Sequence, residues 1–155
     1  MESYYPDQTD LAILKLLQRE ARLTYNEIGR RLHKSKSPII DRIRRLEKLG
    51  YIRGYVALLD YELLRECMMA YVHIQLKDHS GEALELFQHT VEGYPEVLEC
   101  CHTTGANDFI LKVVTSSLQS YNAFLRQKID RLPNIGQVSS SMVLAQCKHS
   151  TAVPF

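Results

Sequence analysis

The sequence predicts an α+β fold in two parts: an N-terminal winged helix-turn-helix followed by a C-terminal ferredoxin-like βαββαβ sandwich. Three observations carry this. Apolar residues recur at helical spacing three times before residue 50, and only a few residues separate the second run from the third. After residue 60 the pattern becomes a mixture of period-two and helical runs in the order β-α-β-β-α-β. Charge divides at the same place. Residues 1–60 hold 12 Lys and Arg against 8 Asp and Glu, and residues 61–155 hold 7 against 10, so a total of +1 conceals a basic part and an acidic part.

Taken in order, the run Thr9–Gln18 places Leu11, Ile13, Leu14, Leu16 and Leu17 on one broad helix face. Thr24 and Glu27 have the spacing of a capping box, so a short helix starts there and runs to about Leu32 with Ile28 and Leu32 inward. Ser35 is a good N-cap, and Pro38 suits a first helical turn, where its missing N–H is no loss. Ile39, Ile43, Leu46 and Leu49 then recur on one face until Gly50 ends the helix. Tyr51–Leu58 reads as extended with a turn near Gly54, which would make a strand pair, the wing.

Such a third helix enters the major groove of double-stranded DNA with its N-terminal residues nearest the bases. Nine basic residues between Arg30 and Arg53 face only Asp41 and Glu47, a concentration suited to phosphates. With Ile39, Ile43 and Leu46 inward, Ser35, Lys36, Ser37, Pro38, Asp41, Arg42 and Arg45 lie on the outer face or its flanks. Ser37 and Arg42 suit base edges, and Arg31, Lys34, Arg45 and Lys48 suit phosphates. Asp41 either accepts from a cytosine amine or pairs along the helix with Arg44 or Arg45, and the helix pairing is favoured.

In the second part, Val72, Ile74 and Leu76 alternate with Tyr71, His73 and Gln75, a strand. Glu82–Val91 is a helix, Val97–His102 and Phe109–Val114 are strands, Leu118–Leu132 is a helix and Val138–Ala145 a final strand. Tyr94-Pro95-Glu96-Val97 and Leu132-Pro133-Asn134-Ile135 echo one another at an offset of 38 residues, as two related halves would. Proline in each return stops each helix. The apolar run around Phe109–Val114 cannot point one way only, so the open sheet face should be apolar and buried by a second copy. Thr103–Asp108 is the hairpin between the central strands, with Gly105 and Asn107 suited to positive φ. Its turn amides suit a carboxylate and Asp108 an ammonium, which together describe an amino acid.

Other classes are excluded. No apolar run reaches the roughly 20 residues that cross a bilayer, and the N-terminus lacks the basic start and apolar core of a signal peptide. Cys67, Cys100, Cys101 and Cys147 are too sparse for a disulfide scaffold and read as reduced thiols. Cys100-Cys101-His102 alternates along a strand and cannot converge on one ion, so no metal is expected. No phosphate loop or nucleophile motif is present, so the chain is not read as an enzyme, and no cofactor is implied.

Two segments together resemble the Lrp/AsnC (feast/famine) family of transcription regulators. The first is Ser35-Lys36-Ser37-Pro38 with Arg42–Ile52, and the second is Thr104–Val113, which is similar to that family's Gly-x-x-Asp hairpin. The resemblance implies a DNA-binding domain over 1–53, a linker strand or hinge over 54–66 and an effector-binding, oligomerising domain over 67–155. It implies homodimers that assemble further, often to octamers, and a cytoplasmic, nucleoid-associated regulator. It implies an amino-acid effector at Thr104, Gly105, Asn107 and Asp108, with further contacts from Ser139, Ser140 and Ser141. The alternative is a nucleoid-type architectural protein around which DNA wraps with no effector.

Overall fold

The computed structural model describes residues 4–60, 63 and 67–155. They divide into two units, Met1–Leu58 with Lys148–Phe155, and Leu59–Cys147. The last eight residues therefore group with the helices, whereas sequence alone puts them with the sheet. The expected hinge, 54–66, lies partly outside the described residues.

In the first unit α1 spans Gln8–Leu17, α2 Tyr25–Arg31 and α3 Lys36–Lys48. The Thr24–Glu27 capping box opens α2 as expected: Glu27 N–H donates to Thr24 Oγ1 at 3.3 Å, and Thr24 N–H donates to Glu27 Oε2 at 2.8 Å. A second capping box opens α1, with Asp7 as N-cap and Asp10 at its third position. Ser35 occupies the N-cap of α3 without a side-chain bond to the helix. Ile13, Leu17, Ile28, Ile39, Ile43 and Leu46 form the core.

The turn from α2 to α3 passes through His33 at φ +53° and closes with Lys34 N–H donating to Gly29 O at 2.8 Å. A Cβ at Gly29 would lie 2.7 Å from Lys34 O, so only glycine admits this approach. Gly50 ends α3 at φ +81°. The strand pair expected after it is not formed among the described residues. A strand needs a ladder partner, and here the Tyr51 and Ile52 amides both turn back to Leu46 O, at 3.0 and 3.3 Å, while Val56 and Leu58 remain exposed.

In the second unit β1 spans Met68–Leu76, α4 Gly81–Glu92, β2 Val97–His102, β3 Phe109–Thr115, α5 Leu118–Phe124 and β4 Ile135–Met142. The sheet order is β2-β3-β1-β4, antiparallel throughout, as a ferredoxin-like sandwich requires. Its inner face (Val72, Ile74, Phe109, Leu111, Val113) packs on Phe87 and Val91 of α4 and on Tyr121 and Phe124 of α5. The Phe87 and Phe109 rings stack at 4.5 Å.

Three expectations are corrected here. The second helix ends its α-form at Phe124 and continues as one π turn, Leu125–Ile129. The last strand starts three residues before Val138, because Asn134 turns the chain at φ +70° directly after Pro133. Gly136 then lets the strand approach β1: a Cβ there would lie 2.8 Å from Gln75 O. The open sheet face is mixed rather than apolar. Met69, Ile110 and Val114 share it with Tyr71, His73, Gln75 and Lys112, the last paired to Glu99 at 3.0 Å.

Candidate nucleic-acid interface and effector hairpin

On α3, Ser37, Asp41, Arg44 and Lys48 are spaced three and four apart and all are exposed. They line one face, opposite Ile39, Ile43 and Leu46. Ser35, Lys36 and Pro38 are exposed at its first turn, and Lys34 is exposed in the turn before it. Among the described residues no ion pair engages Lys34, Lys36, Arg44 or Lys48. Arg44, absent from the sequence-derived contact set, shares the outer face. Its signal was the i, i+3 spacing from Asp41.

The other three expected contacts are engaged within the protein. Arg31 forms a two-point pair with Glu20 at 2.7 and 2.9 Å. Arg42 does not extend outward: it reaches to α1, where Nη1 donates to Asp7 Oδ2 at 2.6 Å and to Asp10 Oδ1 at 2.8 Å. Arg45 lies 3.5 Å from Asp10 Oδ2, with its guanidinium 4.6 Å above the Tyr4 ring. The pairing of Asp41 with Arg44 or Arg45 is not made among the described residues, because Arg45 is drawn to Asp10 and Tyr4 instead.

Asp10 is the centre of this network and is fully buried. Burial pushes its carboxyl pKa up, but hydrogen bonds from Tyr4, Arg42 and the Asp7 amide outweigh burial and hold it below the ordinary aspartate value of 3.8. Asp7 is held low by the Asp10 amide and by Arg42. The cluster fastens the N-terminal arm and α1 to the middle of α3 and so fixes how α3 is presented.

In the second unit, Gly105 takes φ +115° at the tip of the Thr103–Asp108 hairpin, whereas Asn107 does not adopt positive φ. Thr103 bonds back across it, N–H to Asp108 O and Oγ1 to Asn107 O, both at 2.9 Å. Among the described residues the amides of Thr104, Gly105, Ala106 and Asn107 have no hydrogen-bond partner. Asp108 is not a free carboxylate. Its Oδ2 accepts from Leu76 N–H at 2.7 Å, and its Oδ1 lies 2.9 Å from His79 Nδ1. It ties the hairpin to the end of β1, and His79, which sequence reasoning passed over, stands beside it.

The three serines of β4 do not act as a set. Ser140 faces the helices and accepts from the Tyr121 hydroxyl at 2.5 Å, while Ser139 and Ser141 register with His73 and Tyr71 on the open face. β1 lies between β3 and β4, so within one chain the serines and the hairpin are held apart by about 10 Å, two strand spacings. Among the described residues no group of three His, Cys, Asp or Glu is placed to hold a metal, and no helix is long and apolar enough to cross a membrane.

Comparison with known proteins accounts for both units. Residues 6–53 match the family model described as winged helix-turn-helix DNA-binding, and residues 69–153 match the Lrp/AsnC ligand binding domain. The chain is 33% identical over 148 residues to the Bkd operon transcriptional regulator of Pseudomonas aeruginosa, covering 96% of this chain and 97% of that one. It is 31% identical over 144 residues to the leucine-responsive regulatory protein of Escherichia coli, covering 93% and 88%. A transcriptional regulator of Neisseria meningitidis, solved as its L-Met complex, superposes with a TM-score of 0.89 at 32% identity over 97% of both chains.

Proposed function

The chain belongs to the Lrp/AsnC family of transcriptional regulators, and from that membership we propose that it binds specific DNA sequences through α3 under the control of an amino acid. The observation that carries the DNA reading is the outer face of α3. There Ser37, Asp41, Arg44 and Lys48, with Lys36 before them, meet no partner cation or anion among the described residues. Ser35, Ser37, Pro38 and Asp41 face base edges, Asp41 accepting from a cytosine amine, and Lys34, Lys36, Arg44 and Lys48 meet phosphates. Arg31, Arg42 and Arg45 contribute by holding the scaffold and by adding positive potential at the margin.

The effector reading rests on the unpartnered amides of the Gly105 turn, which suit a carboxylate. Asp108 shapes this turn rather than offering a vacant oxygen. The N. meningitidis relative carries L-Met; the same ligand class is proposed here. The mixed open face, with Met69, Ile110 and Val114, supports a homodimer, and higher assembly to an octamer would bring one chain's hairpin to another's surface. Two titrations test this. Anisotropy with the protein's own upstream DNA and with random DNA should separate at moderate salt, and equal affinities would end the sequence-specific reading. A thermal-shift screen of the amino acids should raise the melting temperature with at least one, and no rise with any would remove the effector.

A further inference from the structure

The C-terminal residues return to the helical unit through a contact of defined chemistry. Gln18, the C-cap residue of α1, addresses both backbone groups of one tail residue. Its Nε2 donates to Val153 O at 3.1 Å, and its Oε1 accepts from Val153 N–H at 2.9 Å. Such a two-point amide bond fixes the register of an extended segment, as one rung of a ladder does. Phe155 lies under Lys15, with Nζ 5.5 Å from the ring centroid. Leu11 and Leu14 of α1, with Tyr55 and Val56, line an open trough whose edge Val153 and Phe155 complete, both remaining exposed. Ser150 Oγ accepts from Ala152 N–H at 3.2 Å and shapes the approach.

We propose that Thr151–Phe155 is a latch whose receptor is the trough on α1 of the same chain, with Gln18 as the residue that reads it. The chain then passes between its units twice, near residue 58 and again near residue 147. A short tethered segment sees its receptor at millimolar effective concentration, so two hydrogen bonds and the half-exposed Phe155 ring against Lys15 keep it docked. Docking on α1 places the latch on the helix whose Asp7 and Asp10 hold Arg42 of α3. Eight residues separate Met142, the end of β4, from Thr151. The latch therefore gives the sheet unit a direct hold on the recognition scaffold, independent of whether the hairpin takes an effector.

The test uses the full chain. Carboxypeptidase should trim the wild type slowly, and Gln18→Ala, with its helical circular dichroism unchanged, about tenfold faster, the loss of roughly one net hydrogen-bond pair. Hydrogen exchange should show the Val153 amide losing protection by a similar factor, and α1 of a chain ending at Ser150 should exchange faster than that of the wild type. Equal trimming and exchange in wild type and Gln18→Ala would overturn the latch. Gln18→Cys with Val153→Cys, in a background with the exposed Cys67, Cys101 and Cys147 replaced by serine, is then bridged with a short bismaleimide. A band of single-chain mass supports the proposal. A covalent dimer would mean that the tail docks on a second copy, which overturns the same-chain latch.

Discussion

Arg42 decides between two readings of the recognition helix, and Arg42→Ala separates them. Its guanidinium donates to Asp7 at 2.6 Å and to Asp10 at 2.8 Å, and Asp10 is fully buried. Removing one member of a buried ion pair costs about 3–5 kcal/mol, because the remaining charge is stranded. Here the Arg42 side chain is 28% exposed, and Tyr4 and Arg45 stay against the carboxylate, so roughly half of that, about 2 kcal/mol, is expected. For a unit of this size the melting temperature should fall by roughly 8–15 °C. Circular dichroism at 222 nm on the full chain measures it. Arg42→Lys should recover little, since one ammonium cannot reproduce a planar guanidinium placed between two carboxylates. Lys36→Ala is the control, with stability within about 0.5 kcal/mol of wild type but weakened DNA binding. If Arg42→Ala melts with the wild type and loses DNA as Lys36→Ala does, the guanidinium belongs to the DNA and its role as a brace to α1 is wrong.

Other outcomes follow from the same network of contacts. Gly29→Ala would ordinarily favour a helix by about 1 kcal/mol. The clash with Lys34 O reverses the sign, and a net loss of about 1–3 kcal/mol should appear in urea melts. Arg44→Ala should leave the melting temperature unchanged and reduce the slope of log K against log salt by about 0.9, measured by anisotropy. Asp108→Ala strands the buried Leu76 amide and should cost about 1–3 kcal/mol by thermal melts, whereas Asp108→Asn keeps an acceptor and should cost less. Asp7 and Asp10 have folded pKa values below the ordinary 3.8, so their stabilisation is complete above that value and lost as pH falls through the lower folded values. Melts taken across that acid range should steepen for wild type and flatten for Asp10→Asn.

Local signals were legible in the sequence, and those that depend on distant neighbours were not. Thr24 and Glu27 identify their helix start within four residues, and Val97–His102 is bounded by Pro95 and the Gly105 turn, so both elements stand where the pattern puts them. The Asp7–Asp10 capping box is just as local, but it lies ahead of the apolar period, which begins only at Leu11. Asn134 and Gly136 carry no apolar period, so the first three residues of β4 escaped. Arg42 lies 32 residues from Asp10 and Asp108 lies 32 from Leu76, and no spacing rule links such pairs. Both side chains have the composition of a binding site and the geometry of a brace. Counting charge along a chain gives the sign of the field but not which cations remain available to a partner. That second quantity depends on which acids the fold brings alongside. Once Glu20, Asp7 and Asp10 have engaged Arg31, Arg42 and Arg45, the cations of the Arg30–Arg53 stretch left without an ion pair among the described residues are Arg30, Lys34, Lys36, Arg44, Lys48 and Arg53. On the proposed reading those on and before α3 hold phosphates, and sequence choice falls to the polar residues between them.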